Sequence, residues 1–173
     1  MKKKTLFVLL VIVGVFIISG CGSNNNTIID NTNETTKEDS KKLSIDNIEV
    51  KLDGKASFNK ITYTYPKDAS SSNLGTYAIM DLMNQGDLLV RVAMSYFPNK
   101  TMGEVLQGTS LTSVDALTFN SNIWNIYKGT QPDGKTTMNY VTVYEGDVYS
   151  IAFISDKNIN DFINAFMGNV NFN

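Results

Sequence analysis

The stretch TYAIMDLMNQGDLLVRVAMSYF, Thr76 to Phe97, decides how the rest of the chain is read. Two apolar-rich runs, Thr76–Met83 and Leu88–Phe97, flank Asn84-Gln85-Gly86-Asp87. A break rich in Asn, Gly and Asp between two such runs is the mark of a hairpin loop. In the second run Leu88, Val90, Val92, Met94 and Tyr96 recur at every second position, so they share one face of a strand. Strands joined by so short a loop pair antiparallel.

The same pattern extends in both directions. Upstream, Ile61, Tyr63 and Tyr65 alternate with polar residues until Pro66 stops the strand. Downstream, Ile123–Lys128 and Thr136–Tyr144 enclose Gln131-Pro132-Asp133-Gly134, and Val148–Ile154 follows the tight turn Glu145-Gly146-Asp147. Two segments break the alternation. In TMGEVLQG, Thr101–Gly108, Thr101 and Glu104 are spaced as a capping box and predict a short helix. Near the end, Ile159, Phe162, Ile163 and Phe166 fall at i, i+3, i+4 and i+7. Asp156 or Asn158 is placed to cap this helix and Gly168 to end it, with Val170 and Phe172 resuming a strand. The expected fold is therefore α+β: a twisted antiparallel sheet carrying a short mid-chain helix and a C-terminal amphipathic helix, with Phe162 and Phe166 buried against the sheet.

This domain is expected to span residues 43–173, long enough to bury a core of its own. Ahead of it the chain opens Met1-Lys2-Lys3-Lys4, continues with the 13 uncharged residues Leu6–Ile18, and closes on Ser19, Gly20 and Cys21. A basic start, an apolar middle and small residues form a secretory signal, 1–20, and the run is short of the ~20 residues a spanning helix needs. Residues 21–42 follow as the sole cysteine and a polar stretch in which only Ile28 and Ile29 are apolar. So little apolar surface does not offset the entropy of ordering, and a disordered tether is expected.

Ile18-Ser19-Gly20-Cys21 resembles the lipobox of bacterial lipoproteins, with Ile18 where that family most often carries Leu. The resemblance implies cleavage between Gly20 and Cys21 and a diacylglyceryl group on the Cys21 thiol. It also implies a place on the outer face of the cell membrane. The order of elements in 55–173 resembles the PsbP/Mog1-like lipoproteins, through Phe58, Ile61, Tyr63, Tyr65, Pro66, Thr101, Phe162, Phe166, Val170 and Phe172. That resemblance implies an accessory or binding module without a shared catalytic site.

The composition narrows the chemistry. There is no histidine, which removes the usual general base and the commonest metal ligand. With Cys21 committed to lipid, no thiol remains for a disulfide, a zinc site or thiol catalysis. No metal and no cofactor are expected. Without Lys2, Lys3 and Lys4 the fifteen basic residues fall to twelve against seventeen acidic, a net charge of −5. Arg91 is the one arginine, so nucleic acid is not an expected partner. Ser57-Phe58-Asn59-Lys60 has the S-x-x-K form of penicillin-binding serine enzymes, but it leads into a strand instead of opening a helix. Asp156, Asn158 and Asn160 imitate a calcium loop, yet Asp161 and Met167 stand where Gly and Glu are required.

One candidate ligand surface remains. Tyr140 and Tyr144 share a strand face with Met138 and Thr142, and Tyr149 and Trp124 lie in neighbouring segments. Aromatics with polar tips suit glycan or peptide recognition, and the same stripe also suits a core. The expected function is a monomeric, lipid-anchored, non-catalytic binding or accessory module outside the cytoplasm, facing a protein or a wall polymer. The alternatives are a small wall-acting hydrolase using carboxylates and a structural subunit of a membrane complex.

Overall fold

The computed structural model describes residues 43–173; the expected signal 1–20 and the expected lipidated cysteine and tether, 21–42, lie outside the described residues. The described chain runs β1 (Leu43–Ile45), β2 (Ile48–Val50), β3 (Gly54–Phe58), β4 (Ile61–Tyr65), β5 (Ser70–Asn73), β6 (Tyr77–Asn84) and β7 (Asp87–Phe97). Then come α1 (Met102–Leu106), β8 (Thr112–Phe119), β9 (Asn122–Thr130), β10 (Thr136–Tyr144), β11 (Asp147–Ser155), α2 (Asn160–Met167) and β12 (Asn171–Phe172).

Local turn chemistry builds most of this. β6 and β7 close with Asn84 opposite Asp87, across Gln85 at φ 50° and Gly86 at φ 95°. Two successive positive φ angles make the two-residue turn whose twist matches that of the paired strands. Glu145 at φ 51° and Gly146 at φ 86° turn β10 into β11 in the same way. Asn120 and Ser121, at φ 46° and 66°, do so between β8 and β9.

The hairpins assemble into a seven-stranded antiparallel sheet, ordered β5-β6-β7-β11-β10-β9-β8, with β7 and β11 at its centre. One face carries the main core. Val90, Val92 and Met94 of β7 and Ile151 and Phe153 of β11 are all buried there. Against this face lie α2 and a three-stranded sheet ordered β12-β4-β3. β1 and β2 form a separate two-stranded ladder whose Leu43, Ile45 and Val50 join the same core. The other face is covered in part by α1: Val105 packs with Val141 and Val148, flanked by Phe97, Met102 and Tyr127. Leu111 crosses the same face at Gly129, where a Cβ would come within 2.6 Å of the Leu111 Cδ2.

The α+β expectation is overturned. Of the described residues 58% lie in strands and 10% in helices, in three antiparallel sheets with two short helices, so the fold is mainly β rather than a PsbP/Mog1-like sheet with a C-terminal amphipathic helix. Three physical reasons account for the difference. β8 is exposed at all but its last position, and β5 is exposed at every position. Such edge strands are held by their ladders to β9 and β6 and leave no apolar period to read. The layer over the main sheet is shared with β3, β4 and β12, so helix supplies only part of it. Finally, α2 has only eight residues. Its first flanking residue is Ile159, with no side-chain cap, in place of Asp156 or Asn158, and Gly168 ends it at φ −62° rather than in the left-handed region.

Phe162 and Phe166 are fully buried, whereas Asn164 on the same helix is exposed. Removing a buried phenylalanine ring typically costs about 3–5 kcal/mol. Phe162→Ala is expected to lower the melting temperature sharply and Asn164→Ala to leave it nearly unchanged, as read by thermal denaturation. In α1 the capping box is complete: Glu104 N donates to Thr101 Oγ1 at 3.2 Å, and Glu104 Oε2 accepts from Thr101 N at 2.9 Å. The bonds from Thr101, with Lys100 beside them, lower the Glu104 carboxyl from 4.5 to about 2. A lowered carboxyl stabilises the fold above its unfolded value and loses that contribution as the pH falls through the folded one. The melting-temperature advantage of the native chain over Glu104→Ala is therefore expected to hold above about pH 4.5 and to vanish toward about pH 2.

Candidate functional site

The four aromatics of the candidate ligand surface sit at or beside the end of the main sheet where β10 turns into β11. They do not form an exposed face. Trp124 and Tyr149 are 0% exposed and Tyr140 is 5% exposed, while Tyr144 is half-buried. Alternation along β9, β10 and β11 brings them to the core side, and Phe172 of β12 fills the space between three of them. Its ring stacks on Tyr144 at 4.1 Å and 15° and on Trp124 at 5.9 Å and 21°, and it meets Tyr149 edge-on at 5.0 Å. Tyr140 turns instead to Phe153 and Phe119, at 5.6 and 6.2 Å. The indole Nε1 of Trp124 and the hydroxyl of Tyr149 are buried without a hydrogen-bond partner.

Polar contacts tie down the rim of this aromatic end. Asp147 accepts from Tyr96 Oη and from the backbone N of Asn99, both at 2.8 Å. The Asn99 bond, then the Tyr96 bond, lowers the Asp147 carboxyl. Lys60, half of the S-x-x-K match, is held by Glu145, which raises its ammonium pKa. Ser57 lies exposed in β3. The Lys60 backbone oxygen accepts from Asn173 N at 2.8 Å and so fixes the chain beyond Phe172.

A cleft of about 580 Å³ opens at the opposite end of the same strands. The β9–β10 loop forms one wall with Asp133 and Lys135, and the β11–α2 connection forms the other with Asp156, Lys157 and Asn158. Phe153, Met138 and Ile163 make an apolar floor. The walls are braced from within. Ser155 Oγ donates to Leu89 O at 2.6 Å and accepts from Lys157 N at 3.0 Å. Lys135 Nζ lies 2.8 Å from Asp133 Oδ2, a bond that lowers the Asp133 carboxyl. Lys157 Nζ pairs with Asp46 at 3.2 Å, which raises the lysine. Lys128 has no ion-pair partner among the described residues. Of the calcium-loop imitation, Asn158 Oδ1 accepts from Asn160 N at 3.2 Å, an ordinary local turn bond. No group of three acidic, histidine or cysteine side chains able to hold a metal occurs among the described residues.

Sequence reading missed this cleft. Lys128, Lys135 and Lys157 come from separate stretches, and no spacing links them. The Asp133-Gly134 turn and the Ser155–Asn158 connection were the only local signals, and each reads as a loop by itself. Cys21 and Gly20, the expected lipidation and cleavage positions, lie outside the described residues.

No protein-family model matches the chain, and no curated protein matches it. Among solved structures, a crystal structure of a protein from Bacteroides thetaiotaomicron VPI-5482 is similar over 69% of this chain at 12% identity, with a TM-score of 0.48. The match covers 48% of that protein, so this chain spans about half of its length.

Trp124 is the only tryptophan, which makes the aromatic end directly observable. Phe172→Ala is expected to shift its fluorescence emission to longer wavelength as water reaches the indole. Loss of this half-buried ring is expected to cost about 1–3 kcal/mol in denaturant titration. Tyr144→Phe, which keeps the stacked ring, is expected to leave the emission unchanged.

Proposed function

We propose that this chain is a lipid-anchored, non-catalytic binding or accessory module on the outer face of a bacterial membrane, meeting a protein or a wall polymer. The observation that carries the reading is the placing of the only cysteine. Cys21 ends Ile18-Ser19-Gly20-Cys21, directly after a basic start and a 13-residue apolar run, and a polar spacer follows it. A thiol there accepts a glyceride, and two acyl chains hold a protein durably where one does not. Among the described residues no helix is long and apolar enough to cross a membrane.

The chemistry of the folded part supports binding over turnover. A carboxylate hydrolase needs a general acid whose pKa is raised toward neutrality. The carboxyls displaced from their ordinary values in this domain, Glu104, Asp133 and Asp147, all move down because hydrogen bonds hold their charged forms. Asp81 is taken by Arg91 through two bonds of 2.6 Å. The cleft combines charged and amide walls with an apolar floor, a surface suited to a polar polymer or a peptide.

Mass spectrometry of the protein recovered from cell membranes tests the anchor. The expected mass is that of a chain beginning at a diacylglyceryl-modified Cys21 and lacking residues 1–20, and Cys21→Ser is expected to retain the whole signal without lipid. An unmodified Cys21 thiol in the native protein would overturn the anchor. Incubation with cell-wall material is expected to release no soluble fragments, and reproducible release would replace the binding reading with the hydrolase.

A further inference from the structure

Two hollows adjoin at the loop end of the main sheet. The cleft of about 580 Å³ and a neighbouring hollow of about 430 Å³ share Lys135, Asp156 and Lys157 in their walls. The cleft extends to Lys128 on β9, and its neighbour extends the other way to Asp87 at the start of β7.

The charges that line them fall into two groups. Lys135 pairs with Asp133 at 2.8 Å, and Lys157 pairs with Asp46 at 3.2 Å and with Asp156 at 4.0 Å. These five are engaged with one another. Lys128 in the cleft and Asp87 in its neighbour are opposite in sign, both exposed, and neither has an ion-pair partner among the described residues.

Strand register gives their separation. Lys128 pairs with Met138, Met138 with Phe153 and Phe153 with Val92, so one row crosses β9, β10, β11 and β7. Three strand spacings cover ~14 Å across this row, and Asp87, five residues before Val92, lies ~16 Å along β7 from it. About 21 Å therefore separates the two backbones, and the two side chains reach inward over part of it. What remains is the span of about five extended residues, which no single amino acid or monosaccharide bridges. Beside Lys128 in the row, Met138 is half-buried and offers an apolar seat. Phe153 is the one aromatic in either lining and is 1% exposed, so no ring face is open for a sugar to stack on. A neutral glycan would also leave both end charges unanswered, whereas a peptide with free ends answers both.

We infer that the two hollows form one site for a short extended peptide with both ends free. Its carboxylate lies at Lys128, its amino group at Asp87, and an apolar side chain near its carboxyl end on Met138. The inference deepens the binding reading proposed above and does not rest on the lipid anchor.

The test is equilibrium dialysis of the full chain, purified from membranes in detergent, against a pool of free-ended pentapeptides of Ala, Leu and Ser, with retained peptides measured by mass spectrometry. Retention is expected to favour members with Leu at or next to the carboxyl end. The same pool amidated at the carboxyl end, or acetylated at the amino end, is expected to be retained about threefold to fivefold less, the effect of one solvent-facing ion pair. Lys128→Gln is expected to erase the difference made by amidation alone, and Asp87→Asn the difference made by acetylation alone. Both positions are exposed, so neither variant is expected to move the melting temperature. Lys55→Gln, outside both hollows, is expected to change nothing. Equal retention of free and capped pools, or retention of no peptide, would overturn the inference. Retention of chitotetraose in place of the peptides would overturn it and leave the binding reading standing, whereas release of fragments from wall material would overturn that reading itself.

Discussion

The fold depends on the contact of Phe153 with Phe162 and Phe166. Phe153 stands at the centre of the main sheet, on β11, and meets the two rings of α2 edge-on at 6.4 and 5.5 Å. Phe166 in turn lies 5.6 Å from Tyr63 on β4, so one chain of rings joins the seven-stranded sheet, the helix and the three-stranded sheet. Edge-to-face pairs contribute roughly 0.5–1.5 kcal/mol beyond the area they bury. Their larger effect is geometric. Among the described residues, which are mainly β, include no cysteine and form two short helices, few other contacts hold the two larger sheets in register.

From that centre the two ends of the main sheet acquire different characters. At the β10–β11 turn the strands end in aromatics, sealed by Phe172 and tied by Asp147 to Tyr96 and Asn99. At the far end the strands separate into loops, and the charged walls of the cleft stand over the same Phe153 that anchors α2. The floor of the cleft is therefore the outer surface of the core. A ligand there would rest on the buried core, while its polar contacts come from loop side chains.

The electrostatics are those of a scaffold. The one arginine is spent on a two-bond pair with Asp81 across β6 and β7, both partners about one-fifth exposed. Glu104 closes a helix cap, Asp147 fastens the loop after β7, and Asp133 stiffens a turn. The hydrogen bonds that Glu104, Asp133 and Asp147 accept also lower those three carboxyls. Such groups hold backbone in place.

What the sequence determined alone was local. Alternation placed β4, β6, β7, β9, β10 and β11, the Gln-Gly and Glu-Gly breaks placed the β6–β7 and β10–β11 turns, and Thr101 and Glu104 marked the start of α1, because each of these signals is complete within a few residues. The resemblance of Ile18-Ser19-Gly20-Cys21 to a lipobox is also local, and what it implies concerns processing and not fold. Tertiary structure decided the rest. β5 and β8 are strands only because β6 and β9 lie beside them, so their sequences, SSSN and TSVDALTF, show no apolar period. The balance of strand over helix depended on those edges and on β3, β4 and β12 sharing the layer with α2. Alternation alone favoured a core stripe for Trp124, Tyr140, Tyr144 and Tyr149 over a ligand surface, and the packing of Phe172 between three of them is a tertiary contact that alternation does not show. The cleft joins Lys128 and Asp133 to Lys157 across the sheet, and a site made by such long-range closure leaves no mark on the spacing of its residues.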